Sequence, residues 1–331
     1  MLPNYSILHK QDIFITEKYE PDIRRDELSF LSRSFERHFN ERPYLHHTCY
    51  LFLTKTTKER SRQQSNWNTL CRGFLVPKEI RDKETVERFM EAVGQFESIV
   101  NDSGLVRLER LTTEEITGTE NEPGIIERYL TLSADGTTML QDMQLNPDGM
   151  RIGDKRLCLH TLSDLDDLPG KVKTDGRYER LSTDRSDCRL SYAAPVGVML
   201  PCDHIYNQWI FIDDSNENLS RFEKAAKNMQ SLSRYSRSNQ INKEWLDEYL
   251  NEAHSNGLQS VRCHCNIIAW AENGHELRRV KNDVGSALAL MECTPHHNTT
   301  DLPALYWAGI PGNEADFPAE ETFYTFTGQA L

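Results

Sequence analysis

Hydrophobic residues recurring at helical spacing predict a series of amphipathic helices along the chain. Between residues 26 and 40, Leu28, Leu31, Phe35 and Phe39 share one helical face, and Pro43 stops the pattern. A longer apolar face marks a second helix at residues 84–100, formed by Val86, Phe89, Met90, Val93, Phe96, Ile99 and Val100. Similar patterns predict further helices at residues 125–132, 217–232, 242–254 and 275–291.

Runs of β-branched, aromatic and aliphatic residues between these helices predict strands. They lie at residues 5–15, 46–54, 105–111, 156–162, 188–200, 204–212 and 260–270. Residues 55–68 and 163–187 are polar or rich in turn-forming residues, which favours loops there.

The order of these elements predicts an α+β fold. We expect two sandwich-like domains, each a mixed or antiparallel sheet covered by amphipathic helices, at residues 1–150 and 151–331. The boundary falls near residue 150 because residues 133–149 are polar and turn-rich. The helices between 217 and 254 should form an antiparallel pair on one sheet face, with Phe222 and Trp245 buried.

Charge and hydropathy exclude several classes of protein. The 331 residues contain 38 Lys and Arg against 51 Asp and Glu, a net charge of −13 that argues against nonspecific coating of nucleic acid. The longest apolar stretch, residues 192–202, is interrupted by Pro195 and Pro201 and falls short of the ~20 residues that a membrane helix needs. The N-terminus lacks the pattern of a signal peptide. The eight cysteines are scattered, which indicates buried thiols in a reducing compartment.

The chain contains no phosphate-binding loop. Its one Gly-Lys pair, Gly170-Lys171, is followed by Val172, and Leu165 stands where the motif needs its first glycine. No Gly-x-Gly-x-x-Gly occurs either. A nucleotide site of the P-loop kind is therefore absent from these residues.

Two groupings of Cys and His could carry chemistry. Cys263, Cys265, Cys293 and His296 could together hold zinc, since alternate residues of a strand share a face. Packing explains the cysteines better, because Val261 and Ile267 continue the same face and no Cys-x-x-Cys is present.

A thiol nucleophile with a base is the second possibility. It could come from Cys202-Asp203-His204, or from Cys158 and His160 on one strand face. Neighbours in sequence rarely point together, so packing is again the favoured interpretation.

A nucleic-acid contact could come from the helix at 217–232 and the residues after it. The basic side chains are Arg221, Lys224, Lys227, Arg234 and Arg237, with Tyr235 available for stacking. Acidic residues on this helix and the next favour an ordinary solvated face.

Four longer segments resemble a known family. They are residues 30–60 (FLSRSFERHFNERPYLHHTCYLFLTKTTKER), 154–170 (DKRLCLHTLSDLDDLPG), 235–245 (YSRSNQINKEW) and 309–319 (GIPGNEADFPA). Together they resemble the TraG-type ATPases of conjugative transposons, which are similar to the large VirB-class ATPases of type IV secretion. The resemblance covers nearly the whole chain.

The resemblance implies that this chain is the N-terminal accessory region of a longer ATPase. The nucleotide-binding motor, with its ATP and Mg²⁺, would follow residues 309–313, so no catalytic residue is assigned here and no cofactor is expected. The aromatic, helix-compatible stretch at 320–326 is typical of a fragment that was cut from a longer chain. We expect a docking module, not an enzyme. Its partners would be inner-membrane components of the conjugation channel, its own motor and, in the full-length protein, other copies.

The expected location is cytoplasmic and peripheral at the inner membrane. The alternatives are a stand-alone metal- or thiol-dependent enzyme and a DNA-contacting arm.

Overall fold

The computed structural model describes residues 2–19, 29–40, 42–62, 81–133, 141–146, 149–172, 175–232 and 236–328. The helices are α1 (Phe30–Phe39), α2 (Lys58–Ser61), α3 (Lys83–Asp102), α4 (Thr113–Thr117), α5 (Ile125–Thr131), α6 (Ser215–Leu232), α7 (Arg237–Asn256), α8 (Gly274–Leu290) and α9 (Leu302–Ala308). The first strands are β1 (Ser6–Lys18), β2 (Pro43–Lys55), β3 (Met143–Asn146), β4 (Gly149–Ile152) and β5 (Lys155–Leu162). The later strands are β6 (Asp175–Arg177), β7 (Arg189–Ser191), β8 (His204–Ile212), β9 (Ser260–Ala271), β10 (His296–His297) and β11 (Phe323–Phe326).

One large antiparallel sheet organises the described chain. Its strand order is β2-β1-β8-β9-β5-β4-β3, with β10 paired to β5 and β11 paired to β9. Strands β6 and β7 form a separate two-stranded sheet. The predicted α+β class, with antiparallel strands and amphipathic helices, is confirmed.

Strands from both halves of the sequence share this sheet. Strand β1 pairs along one edge with β2 and along the other with β8, in the register Gln11↔Asn207. Residue 150 lies in the β3–β4 hairpin, where Met150 is the partner of Leu145. The predicted boundary therefore falls inside a hairpin, and the ranges 1–150 and 151–331 are joined by continuous strand pairing.

Two hydrophobic cores cover the two faces of the sheet. One face carries Ile7, Trp209 and Ile268 and packs under α5, α9 and the segment through Phe317. The opposite face carries Cys158, Tyr206 and Ile267 and packs under α8 and residues 196–202. Successive residues of a strand point to opposite faces of the sheet, and here both faces are covered. The central strands β8 and β9 are therefore buried along almost their whole length.

Local signals explain where several helices begin and end. The Asp82 side chain accepts the Thr85 backbone N–H at the start of α3, and Asn273 accepts two backbone N–H groups at the start of α8. Gly257, with φ of 61°, ends α7 in the left-handed conformation that glycine adopts without a Cβ clash. Helix α7 begins at Arg237, earlier than the Asn242 start predicted from the sequence.

The prediction that Trp245 is buried is wrong. Helices α6 and α7 do pack together, around Leu219, Ala253 and Phe326. Phe222 is half-buried and contacts this cluster, but Trp245 is 59% exposed. The apolar residues of α7 are spread over more of the helix circumference than the face that packs against α6, and Trp245 lies outside that face.

Several segments differ from their predicted structure, including the loops predicted at 55–68 and 163–187, which contain α2 and β6. Residues 105–111 form no strand, and only Arg189–Ser191 of the predicted strand 188–200 is one. Pro195 lies instead in a 3-10 turn at Ala194–Val196. The stretch at 320–326, read as compatible with helix, ends in β11. Whether such a segment forms a strand depends on hydrogen bonding to a neighbouring strand. The spacing of its apolar residues carries little information about that partner.

Within the described ranges, no helix has the length and hydrophobicity needed to cross a bilayer.

Candidate functional site

A row of buried amides crosses the centre of the large sheet. Gln11 on β1, Asn207 on β8 and Asn266 on β9 are register partners, and each is at most 1% exposed. Gln11 Nε2 donates to Asn207 Oδ1 over 3.1 Å, and Asn207 Nδ2 donates to Asn266 Oδ1 over 2.9 Å. Gln11 Nε2 also donates to the Gly309 carbonyl at 3.0 Å, which ties the covering segment to the sheet.

Two histidines extend this row. His9 Nε2 donates to Asn207 Oδ1 over 3.0 Å, while its Nδ1 lies 3.9 Å from Glu314 Oε1. His264 Nδ1 donates to the Glu321 carbonyl at 2.6 Å, and its Nε2 accepts from Asn266 at 3.0 Å. Burial lowers the pKa of His264 to about 4. The row is closed to solvent, so it fixes strand register and does not meet a solute.

A buried ion pair anchors α2 beside the row. Arg262 Nε donates to Asp213 Oδ2 over 2.6 Å, and both side chains are at most 4% exposed. Arg262 Nη2 donates to the Ser61 carbonyl at 2.8 Å. Arg60 Nε donates to Asp316 Oδ1 at 3.1 Å. These contacts bind α2 to the sheet and to the covering segment.

A cavity of about 110 Å³ lies between the β1–β2 hairpin and α5. Ile13, Ile205 and Trp270 form part of its apolar wall, and Glu17 and Arg128 are among its polar lining. Pockets for cofactor-sized molecules usually occupy ~300–1,000 Å³. This cavity is therefore too small for a nucleotide.

The buried cysteines are held as neutral thiols. Burial raises the pKa of Cys158, Cys202 and Cys265 to about 12 in each case, and it also raises the pKa of Cys263. A thiolate is the nucleophile in cysteine chemistry. These groups therefore behave as small core side chains at neutral pH.

The residues suggested as a nucleophile and base do not come together. In the Cys202-Asp203-His204 segment, the His204 ring nitrogens lie 2.8 Å from the carbonyl oxygens of Cys202 and Val196. Asp203 Oδ1 accepts the backbone N–H and the hydroxyl of Thr16. His160 is buried beside His297 at 5.4 Å between ring centroids, and burial lowers its pKa to about 4.

Among the described residues, the four weak zinc candidates do not form a cluster of ligand atoms. Cys263 packs with Val261 and Phe323, and Cys265 packs against the core under α8. Cys293 Sγ lies 3.4 Å from the Tyr192 hydroxyl oxygen. His296 Nε2 lies 2.8 Å from Asp167 Oδ1, so its ring is paired with a carboxylate.

A different group of potential ligands includes His296. Asp164, Asp167 and His296 offer ligand atoms within 4.8 Å of one another. An imidazole with two carboxylates suits a divalent ion such as Zn²⁺ or Mn²⁺. Asp167 Oδ2 already accepts the backbone N–H groups of Ser163 and Asp164, each at 3.0 Å. The hydrogen-bonded pair of Asp167 and His296 explains the arrangement without an ion.

The basic candidates for a nucleic-acid contact are only partly available. Arg221 and Lys224 are exposed on α6, and Arg237 is exposed at the start of α7. The Arg221 guanidinium lies 4.9 Å from the centre of the Tyr324 ring and donates to the Tyr324 hydroxyl. This side chain is therefore already engaged within the fold. Arg234 and Tyr235 lie outside the described residues. The sequence also offers Lys227, which is exposed on α6.

Helix α3 and the chain that follows it, residues 83–111, form an arm with several exposed apolar side chains. None of the side chains of its helix α3 is buried. The chain after the helix folds back along it, since Asn101 Oδ1 accepts the Leu108 N–H at 2.7 Å and Arg110 Nη2 lies 2.7 Å from Glu97 Oε2. The most exposed apolar side chains of the arm are Val86 (41%), Met90 (49%), Ile99 (68%), Leu105 (88%) and Val106 (56%).

Helix α1 presents a second apolar surface. Phe30 is 83% exposed and Leu31 is 76% exposed, while Phe39 contacts Tyr19 at the end of the β1–β2 hairpin. Sequence periodicity predicted both helices and their apolar faces, and the predicted fold used amphipathic helices to cover its sheets. An apolar helical face looks the same in sequence whether the fold or a partner covers it.

The buried amide row was missed by sequence analysis. Its signal is a single amide within an otherwise apolar strand, as at Gln11, Asn207 and Asn266. Such residues are costly to bury alone, so each needs a partner across the sheet. Which residues pair depends on register, and Gln11 and Asn207 are almost two hundred positions apart.

Comparison with known proteins gives no match: no protein-family model matches the chain, and no curated protein matches it.

Proposed function

We propose that this chain is the N-terminal accessory region of a TraG-type conjugative-transfer ATPase, and that it works by docking to other proteins. The family part rests on the resemblance of residues 30–60, 154–170, 235–245 and 309–319. The docking part rests on one observation, the arm whose helix α3 buries none of its side chains. Apolar groups kept in water in this way are typical of interaction surfaces.

In this proposal the chemistry lies outside the chain. ATP and Mg²⁺ would bind the motor that follows, and this region would connect the motor to inner-membrane components of the transfer channel. The protein would then be cytoplasmic and peripheral at the inner membrane, and copies could associate through the motor. The absent Gly-Lys-Ser/Thr loop supports placing ATP elsewhere.

The rival proposal of a stand-alone metal- or thiol-dependent enzyme has less support. A reactive cysteine needs a lowered pKa, whereas burial raises the pKa of Cys158, Cys202 and Cys265 to about 12. A metal analysis of the purified chain, combined with thiol titration, separates the two proposals. Stoichiometric zinc with protected thiols would favour the metalloenzyme.

Deleting these residues from the full-length protein tests the docking proposal. We expect conjugative transfer, measured by mating, to be lost while the truncated motor keeps basal ATPase activity, because separate units can fold independently. Normal transfer would defeat the proposal. Loss of ATPase activity as well would give this region a part in the motor itself and would also count against docking.

A further inference from the structure

An open groove of about 260 Å³ lies between α7 and β11. Trp245, Glu248, Tyr249 and Glu252 line it from α7, and Tyr324 lines it from β11. Successive residues of a helix are ~100° apart, so the four positions of α7 fall within an arc of ~100°. One face of α7 therefore presents two aromatic rings and two carboxylates to the groove.

The aromatic part of the groove rests on the fold. The Tyr249 ring stacks on Phe326 of β11, with centroids 4.3 Å apart, and its hydroxyl donates to Ser260 Oγ over 2.8 Å. Trp245 lies one helical turn before Tyr249 and is 59% exposed. The face of an aromatic ring carries partial negative charge and attracts cations, and an indole does so best.

The carboxylates of the groove lack a compensating charge. Glu248 and Glu252 are both exposed and lie one helical turn apart, where like charges repel each other. Within the described ranges, neither takes part in an ion pair. Lys243 lies on the opposite side of α7 and pairs there with Asp247 over 2.9 Å. A cation entering the groove would relieve the repulsion between the two glutamates.

This charge pattern decides between the possible occupants of the groove. A second copy of the chain carries a net charge of −13, and anionic lipids and nucleic acids are also negative, so all three would be repelled. Small-molecule pockets usually occupy ~300–1,000 Å³, which is more than this groove offers. The nearby Arg221 contacts Tyr324 but is not among the residues that line the groove.

We propose that the groove between α7 and β11 binds an arginine side chain of a partner protein. A planar guanidinium stacks on an indole and donates to carboxylates at its edge, whereas the compact ammonium of lysine lacks this geometry. Trp245 would supply the stacking surface, and Glu248 and Glu252 would accept the N–H groups. The inference depends neither on the family resemblance nor on the arm, because its residues belong to α7 and β11.

Fluorine NMR of the chain labelled with fluorotryptophan tests the proposal at the site itself. The chain has five tryptophans, and Trp245→Phe identifies the signal of Trp245. The probe is N-acetyl-arginine methylamide, and its matched control is the citrulline compound, in which a neutral urea replaces the guanidinium. We expect the arginine compound to shift the Trp245 signal in a concentration-dependent way and to leave the other four unchanged. The citrulline compound should shift none.

Variants at the surface assign the binding to the groove. Glu248→Gln/Glu252→Gln should raise Kd at least about threefold, because it removes both carboxylates. Glu87→Gln/Glu91→Gln removes the same number of charges from exposed positions of α3 and should leave Kd unchanged. Trp245→Leu, measured by saturation transfer to the ligand, should also weaken binding at least about threefold. Circular dichroism checks that each variant is folded.

Several outcomes would overturn the proposal. One is an equal shift of the Trp245 signal by the arginine and citrulline compounds, and another is an equal affinity for the lysine compound. Parental binding by Glu248→Gln/Glu252→Gln would exclude the carboxylates. A Trp245 shift with anionic vesicles would assign the groove to a lipid, and dimerisation lost in Trp245→Leu would assign it to a second copy. The mating experiment with the truncated protein tests the proposed function separately.

Discussion

His9 and Trp209 stack face to face across β1 and β8, with their ring centroids 3.6 Å apart and their planes at 5°. Trp209 also contacts Phe317 at 4.7 Å between centroids. Strand β1, strand β8 and the segment that covers them therefore meet at one indole. This contact joins the beginning, the middle and the end of the described chain.

Replacing Trp209 should strongly destabilise the protein. Trp209 is 1% exposed, and Trp209→Ala should lower the free energy of unfolding by about 3–5 kcal/mol, because it leaves a cavity at the centre of the core. Trp245→Ala is the matched control, since Trp245 is 59% exposed. Urea unfolding measures both variants. Equal losses would contradict the assignment of Trp209 to the core and Trp245 to the surface.

Breaking the buried ion pair should also be costly. Arg262→Met leaves Asp213 as a buried carboxylate without its cation, and such losses are typically about 3–5 kcal/mol. Arg279→Met removes an arginine whose side chain is 79% exposed and paired with Asp283 on α8, where we expect less than about 1 kcal/mol. Thermal unfolding of the two variants should differ by several degrees. Similar melting temperatures would show that Arg262 and Asp213 are solvated.

Stability should fall on the acid side because of His264. Burial holds the pKa of His264 at about 4, below the ordinary value of 6.5. The unfolded chain therefore binds this proton first as pH falls below 6.5, so the stabilisation is complete above that pH and is lost as pH falls towards 4. Protonation would also set His264 Nε2 against the Asn266 donor.

Urea midpoints measured between pH 7 and pH 4 test this dependence. In His264→Gln the acid loss should be shallower than in the parent, whereas His275→Gln should keep the parental slope because His275 is exposed. His160, whose pKa is also about 4 through burial, retains part of the slope in both variants. An unchanged slope in His264→Gln would contradict the role given to His264.

Thiol labelling should separate the cysteines by burial. Cys158, Cys202 and Cys263 should resist iodoacetamide at pH 8, since their thiols stay neutral and enclosed. Cys188 is only partly buried and should react sooner. Mass spectrometry of peptides gives the order. Labelling of Cys202 as fast as Cys188 would show that the core under α8 opens readily.

Local patterns in the sequence were sufficient for much of the secondary structure. The predicted strand at 204–212 matches β8, and the predicted helix at 84–100 lies within α3. These elements carry strong periodicity and clear stops. The segment at 105–111 has apolar residues too, but it runs along α3 without a strand partner, a tertiary choice that its own residues do not determine.

The candidate surfaces were harder to predict than the elements that carry them. The sequence predicted the apolar face of α3, which includes Val86, Phe89, Met90 and Val93. Whether that face is exposed depends on which surfaces the rest of the fold covers. His296 was considered beside cysteines near it in sequence, whereas its partner is Asp167, which comes from a loop 129 positions earlier. Pairing across such distances follows from strand register, as in β10 with β5, and register is not visible in one sequence.

Mating efficiency of the full-length protein carrying Val86→Gln/Met90→Gln tests the docking account most directly. These substitutions alter an exposed face outside the proposed ATPase motor, so the ATPase activity should equal that of the parent. We predict at least about a tenfold loss of transfer, with Leu290→Gln transferring normally. Normal transfer by the double variant, with the protein present at parental levels, would contradict the claim that this chain acts by docking through its arm.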